Sequence, residues 1–247
     1  MKVVFHADFC QVYTDDPAAA AGRMEAILSV IEPYVELVEA RPAAEVEILA
    51  VHTPAHVERI RRMGLYDIAA LAAGGAIQAA ALGLAEPCFA AIRPPGHHAS
   101  AGSCWGFCFF NNMAVAIEAL KQQGRIRSAY ILDFDLHFGD GTENILGRKS
   151  YVSIHNPGSI GREAYLQEVA EELGRFPVDL IGISAGFDNH RQDWGGLLLT
   201  DDYFAMGRMV RDAARRNGGG CFAVLEGGYN YDVLGQNALA LINGLGP

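Results

Sequence analysis

Seven short runs rich in β-branched and aromatic residues recur along the chain, separated by longer stretches of helical periodicity. This alternation restricts the possible folds more than any other property. The runs are KVVFHA, EVEILAV, CFAAIR, AYILDFD, YVSIH, DLIGISAG and CFAVLEGG. Most are apolar at nearly every position rather than at every second one. Both faces of such strands must be covered, as in a parallel sheet between helical layers. Helical periodicity marks residues 18–38, 54–63, 67–84, 111–123, 163–175, 201–217 and 231–243. Strand–helix alternation over all 247 residues predicts an α/β fold: a single-domain, doubly wound, mainly parallel sheet flanked by helices, spanning 1–247. In such sheets ligands bind beyond the carboxyl ends of the strands, so loops there carry the chemistry.

A chain of this length can bury its core without a disulfide or a structural metal, so a metal site here is expected to be catalytic. The formal net charge of −10 opposes binding to nucleic acid and to anionic membranes. It suits cationic substrates such as amines, although many soluble enzymes are acidic without that reason. Five scattered cysteines (Cys10, Cys88, Cys104, Cys108, Cys221) form neither a disulfide framework nor a C-x-x-C pair, and reduced thiols in a cytoplasmic protein are expected. The N-terminal MKVVFHADF lacks the apolar core of a signal peptide. The alanine-rich segment from Ile68 to Ala85 contains Gly74, Gly75 and Gln78, which reads as a tightly packed core helix rather than a lipid span.

Four segments carry candidate chemistry. In DFDLHFGDG, alternate residues of a strand share a face, so Asp133, Asp135 and His137 are expected to point the same way, successive members roughly 6–7 Å apart. Asp135 and His137 could share one metal, with Asp133 set back to orient a neighbour. Ionisable residues facing inward from an apolar strand are costly unless a metal or partners compensate. Solvated loop carboxylates imitate a lone D-x-D-x-H; the Gly-Asp-Gly that follows strengthens the signal. In IRPPGHHAS, a rigid turn after a strand exposes His97 and His98, suited to proton transfer; a bare His pair would read as surface. In ISAGFDNH, Asp188 follows another strand. A mononuclear catalytic zinc takes three protein ligands and keeps an open position, and Asp135, His137 and Asp188 would supply the three. Alone, Asp188 reads as a turn or N-cap residue. In AVLEGGYN, paired glycines present Tyr229, whose hydroxyl could stabilise an oxyanion; Gly-Gly-Tyr by itself reads as a structural turn.

Together and in this order, RPPGHHA, GFCFFNN, DFDLHFGDGT, SAGFD and EGGY resemble the histone deacetylase superfamily. That superfamily includes acetylpolyamine amidohydrolases and acetoin-utilisation proteins and shares its fold with arginases. The resemblance runs from the first strand to about Tyr229. It implies a zinc-dependent amidohydrolase, with Fe²⁺ as an alternative ion, that removes an acetyl or related acyl group from a small acylated amine, a polyamine or an acetyl-lysine side chain. By this resemblance Asp135, His137 and Asp188 are the metal ligands, His98 the general base and acid, and His97 its electrostatic partner. Asp133 and Asp140 orient His97 and His98, and Tyr229 polarises the substrate carbonyl. Gly106 and Phe107 belong to the wall of the tunnel that holds the substrate. A monovalent cation, K⁺ or Na⁺, is implied at Asp133 and Ser153, and Arg23 corresponds to an arginine near the buried end of the site.

The chain also departs from the family pattern. It is shorter than most members, and the loop between His56 and Gly74 that usually carries an acidic substrate-gripping residue is very short, with Asp67 the carboxylate left after the helical run 54–63. The segment after YVSIH is too short to supply the second aromatic wall, so a more open rim is expected. Two other readings compete. An arginase-like binuclear manganese hydrolase needs further ligands that His97-His98-Ala-Ser does not offer. A catalytically silent binding or regulatory module would be expected to have lost a ligand or a base. Oligomeric state is left open.

Overall fold

A computed structural model describes residues 1–175 and 177–246. Seven strands form one sheet: β1 (Lys2–Phe5), β2 (Glu36–Glu39), β3 (Cys88–Ala90), β4 (Ala129–Asp133), β5 (Val152–His155), β6 (Leu180–Ala185) and β7 (Gly220–Leu225). Every pairing is parallel, in the order β2-β1-β3-β7-β6-β4-β5. Every residue of β3, β4, β6 and β7 is buried, which accounts for their uninterrupted apolar sequences. The edge strands β2 and β5 are partly exposed, and the glutamates at both ends of β2 discourage edge-to-edge pairing.

Besides α3 (Pro54–Arg62), α6 (Asp140–Leu146) and α7 (Arg162–Glu172), two groups of helices flank the sheet. One consists of α4 (Tyr66–Gly83), lying on β1, β3 and β7, with α5 (Asn112–Gln122) packed beside it. The other joins α8 (Thr200–Asn217), α9 (Tyr231–Leu245) and α1 (Arg23–Ile31). The glycine pair in α4 has a packing reason: a Cβ on Gly75 would stand 2.8 Å from Ile92 Cγ2, so only glycine lets this helix sit so close to the sheet. Among the described residues no helix is long and apolar enough to cross a membrane.

Three elements differ from the sequence reading, one of them helix α6 at Asp140–Leu146, where no helix was expected. EVEILAV, with its alternating pattern, is not a strand; residues Glu45–Leu49 form the short helix α2. The Glu47 carboxylate accepts the Ala44 N–H at 2.8 Å, which caps this helix and sets its start. The second strand lies instead at Glu36–Glu39, inside the stretch read as one helix over 18–38. Pro33 ends the helical run in a single 3₁₀ turn (Glu32–Tyr34), and the β-branched Val35 that follows is extended.

The winding brings the carboxyl ends of β3, β7, β6 and β4 side by side at the centre of the sheet. The four chemistry-bearing loops leave from these four adjacent ends.

Candidate active site

β4 ends at Asp133, so Asp135 and His137 do not continue it with strand alternation as the sequence suggested. They are brought together by two successive side-chain turns. Asp133 Oδ1 accepts the Asp135 N–H at 3.2 Å, and Asp135 Oδ1 accepts the His137 N–H at 2.9 Å. From β6, Asp188 arrives fully buried, and its Oδ1 accepts the Leu136 N–H at 3.1 Å. From β7, the Gly227 N–H donates to Asp135 Oδ2 at 2.9 Å.

Ligand atoms of Asp135, His137 and Asp188 consequently lie within 4.8 Å of one another. Asp188 Oδ2 is buried without a hydrogen-bond donor. His137 Nδ1 stands 3.1 Å from it, but not with hydrogen-bond geometry. A Cβ on Gly227 would meet Asp135 Oδ2 at 2.6 Å and Asp188 Oδ2 at 2.7 Å, so the space at these oxygens is kept clear of side chain. Burial, then the charge of Asp135, push the Asp188 carboxyl above the usual range. The carboxylates of Asp135, to which its Nδ1 donates, and of Asp188 beside it raise His137 to about 10. Two adjacent buried carboxylates and an imidazole that share an orphaned oxygen form a donor set suited to a divalent cation.

The histidine pair follows β3. His97 and His98 have ring centroids 4.0 Å apart but different partners. His97 Nδ1 lies 3.1 Å from Asp133 Oδ2 and its Nε2 3.7 Å from Asp135 Oδ1. Burial opposes a charge on His97, but Asp135 and Asp133 outweigh it and hold the ring protonated well above its ordinary value. His98 Nδ1 lies 2.6 Å from Asp140 Oδ1. Burial, then the charge of His97, push His98 down to about 4, against the pull of Asp140. The surroundings therefore favour charge on His97 and oppose it on His98. Asp140 is engaged on its second oxygen as well, by Trp105 Nε1 at 2.9 Å.

Gly106 adopts φ +57°, and a Cβ there would press on the His98 ring, so glycine is required on both counts. Phe107, at φ 66°, is the one non-glycine residue with positive φ among those described, a strain of about 1–3 kcal/mol held at the cavity wall. Its ring meets that of Tyr229 edge-on at 6.1 Å. Burial keeps the Tyr229 phenol protonated, well above its ordinary value, although Arg23 opposes this.

These side chains line a cavity of about 120 Å³, walled by Trp105, Phe107, Trp194 and Tyr229 above His97, His98, Asp135 and His137. The rim is thus not bare of a second aromatic wall: Trp105 and Trp194 supply it from loops other than the one expected. Trp105 stacks on His98 at 3.8 Å and Trp194 on Tyr229 at 4.1 Å. Arg23 is fully buried beneath, donating to the carbonyls of Gly228 (2.9 Å) and Glu226 (2.5 Å), with its guanidinium 5.4 Å from the Tyr229 ring centre. Asp67, in the first turn of α4, does not line the cavity. Ser153 pairs with Tyr130 in the sheet, three residues upstream of Asp133. His190, two residues after Asp188, is buried and accepts the Gln192 N–H at 3.2 Å. A larger cavity of about 400 Å³ opens elsewhere, by Gly83, Glu86, Arg215 and Cys221, and contains none of the motif residues.

Glu226 was not singled out by sequence. Its buried carboxylate accepts from Gly96 N–H (2.6 Å), His97 N–H (3.2 Å) and Ser184 Oγ (3.3 Å), tying the histidine turn to the end of β7. Burial pushes it up to about 7. An acid directly after an apolar strand and before Gly-Gly was the available signal. His97, Cys108 and Glu226 also approach within 4.8 Å, but the acid is already saturated with donors and burial keeps the Cys108 thiol protonated.

A parallel α/β sheet with three residues that could hold a cation and a histidine pair at its carboxyl edge is an arrangement suited to hydrolysis. Comparison with known proteins makes the assignment specific. A sequence model described as the histone deacetylase domain matches residues 61–160 and 159–245. A histone deacetylase-like amidohydrolase of Pseudomonas aeruginosa is 32% identical over 93% of this chain and 78% of its own. A probable deacetylase of Methanothermobacter thermautotrophicus is 33% identical over 91% and 84%. The crystal structure of the HDA15 HD domain superposes with a TM-score of 0.87 at 25% identity, covering 99% of this chain and 88% of that one. The chain belongs to the histone deacetylase family.

Proposed function

We propose that the protein is a zinc-dependent amidohydrolase that releases an acetyl or similarly small acyl group from a small acylated amine, a polyamine or an acetyl-lysine side chain. The observation that carries this reading is the convergence of Asp135, His137, His98 and Tyr229 on one small cavity, with Asp188 grouped behind it within 4.8 Å of the other two ligands. Small acetylated amines are favoured by the net charge of −10.

Asp135, His137 and Asp188 would hold the metal, and Zn²⁺, or Fe²⁺ in its place, supplies Lewis acidity toward the acyl carbonyl and the attacking water. The bond to Asp140 places the His98 proton on Nδ1 and leaves Nε2 free to take the proton of the water. His97, charged between Asp133 and Asp135, keeps its neighbour neutral beforehand. The Tyr229 hydroxyl donates to the oxyanion, and the proton on His98 passes to the departing amine. A monovalent cation, K⁺ or Na⁺, near Asp133 and Ser153 is a separate part of the proposal, as is a cytoplasmic location, which the free thiols fit.

With metal saturating, the acid limb of kcat/KM is expected to lie nearer 4 than the ordinary 6.5 of an imidazole, because His98 must be neutral to act and is held down. A limb at or above 6.5 would assign the base elsewhere. Amine release from an acetyl-lysine peptide and from acetylputrescine tests the function itself. Release from either supports the amidohydrolase, and faster release from acetylputrescine supports the small-amine preference. No release from both would leave another acyl group or the silent-module reading.

A further inference from the structure

We propose that Asp193, on the loop after Asp188, is a positioning residue for Tyr229, and that it carries Trp194 onto the tyrosine ring. This rests on the amidohydrolase reading of the site and extends it to the loop that sets the geometry of the oxyanion donor.

Tyr229 sits at a point where the backbone has little of its own to hold it. Gly227 and Gly228 precede it, with Gly228 at φ +118°, a region open to glycine but strained for other residues. Helix α9 begins only at Tyr231, after the cap residue Asn230. The Tyr229 and Asn230 N–H groups are therefore outside both strand and helix. Both donate to one atom, Asp193 Oδ2, at 2.7 and 2.8 Å. The other carboxylate oxygen accepts the N–H of Trp194 at 2.9 Å. The loop is pinned in return by Asn230 Nδ2, which donates to the Gln192 carbonyl at 2.6 Å, and by the Gly195 N–H, which donates to the Asp188 carbonyl at 2.8 Å.

One carboxylate thus fixes the backbone of the tyrosine and the start of the next residue on its own loop. The result is visible in the rings: the half-exposed Trp194 indole lies 4.1 Å from the Tyr229 ring at 23° and meets His137 edge-on at 6.1 Å. Placement of a donor matters steeply, since a shift of about 1 Å in a reacting group can cost on the order of 10² in rate.

The test is a double-mutant cycle in the intact, metal-loaded protein. Asp193→Ala is expected to lower kcat by about 10–100-fold with KM little changed, and Asp193→Asn, whose remaining oxygen can still accept both N–H groups, by less. In the Tyr229→Phe background, where no hydroxyl remains to be placed, Asp193→Ala is expected to change kcat by less than about two-fold. Bound metal should be the same in all variants. Equal losses in both backgrounds, or no loss with Tyr229 present, would overturn the proposal.

An arm independent of activity uses the two tryptophans of the chain. With Trp105→Phe as the reference, Asp193→Ala is expected to red-shift Trp194 emission and raise its acrylamide quenching, as the stack on Tyr229 opens. If the parent protein releases no amine from any acyl substrate, the amidohydrolase reading fails. The emission then decides the clamp alone: an unchanged spectrum overturns it and a shifted one supports it.

Discussion

Asp188→Ala is expected to lower metal affinity by more than about 10²-fold, because even neighbours that merely orient a ligand are worth 10–100-fold. Amine release should fall to background at ordinary metal concentrations. The same change should not damage the fold. Asp188 is fully buried beside Asp135, and one of its oxygens has no donor, so in metal-free protein burial first and Asp135 second oppose its charge, against the pull of His137. Its folded-state pKa is raised, so its contribution to stability is fully present below the unfolded value and lost as pH rises through the folded one. Metal-free Asp188→Asn is therefore expected to melt above the metal-free parent at pH 8, with the gap closing as the pH falls through that raised pKa. Differential scanning calorimetry with metal analysis checks both halves. A variant that binds metal normally, or that melts lower at pH 8, would show Asp188 to be a structural turn residue.

Tyr229→Phe is expected to lower kcat by roughly 10²–10³ while metal affinity survives. Two carboxylates in the ligand set leave the cation less able to stabilise an oxyanion than three neutral histidines would, so the hydroxyl has correspondingly more to contribute. Among the described residues no protein group bonds that hydroxyl, so its loss should move stability by no more than about 0.5 kcal/mol. Single-turnover kinetics beside a thermal melt separates these effects. A near-unchanged kcat would remove Tyr229 from the role of oxyanion donor.

The strand–helix alternation was legible because the central strands are buried on both faces and so carry an uninterrupted apolar signal. Apart from the short helix after β4, the failures lie at the edge of the sheet. β2 is exposed and glutamate-bounded, which hides it inside a helical-looking stretch, whereas the alternation of EVEILAV mimics a strand although the Glu47 cap makes it a helix. For the site, motif order pointed to Asp135, His137 and Asp188, which the fold groups together, and to His97, His98 and Tyr229 around the same cavity. It could not supply the means of convergence: strand periodicity was invoked for Asp133, Asp135 and His137, and the structure uses two side-chain turns instead. Glu226, Trp105 and Asp193 escaped notice because each acts through contacts 35–130 residues away in sequence, on backbone N–H groups or ring faces that no local pattern encodes. Trp194 likewise gained its meaning only from the ring it covers.

The central claim, that this site hydrolyses amides with a bound divalent metal, is tested most directly by acetate release from an acetylated amine in three states of one preparation. These are the protein as purified and metal-loaded, the same protein after chelation and dialysis, and that protein after Zn²⁺ is returned. Acetate release that disappears on chelation and returns with about one zinc per chain is the predicted result, one mononuclear site being what three ligands provide. Release that persists in fully metal-free protein, or none in any of the three states, would contradict it.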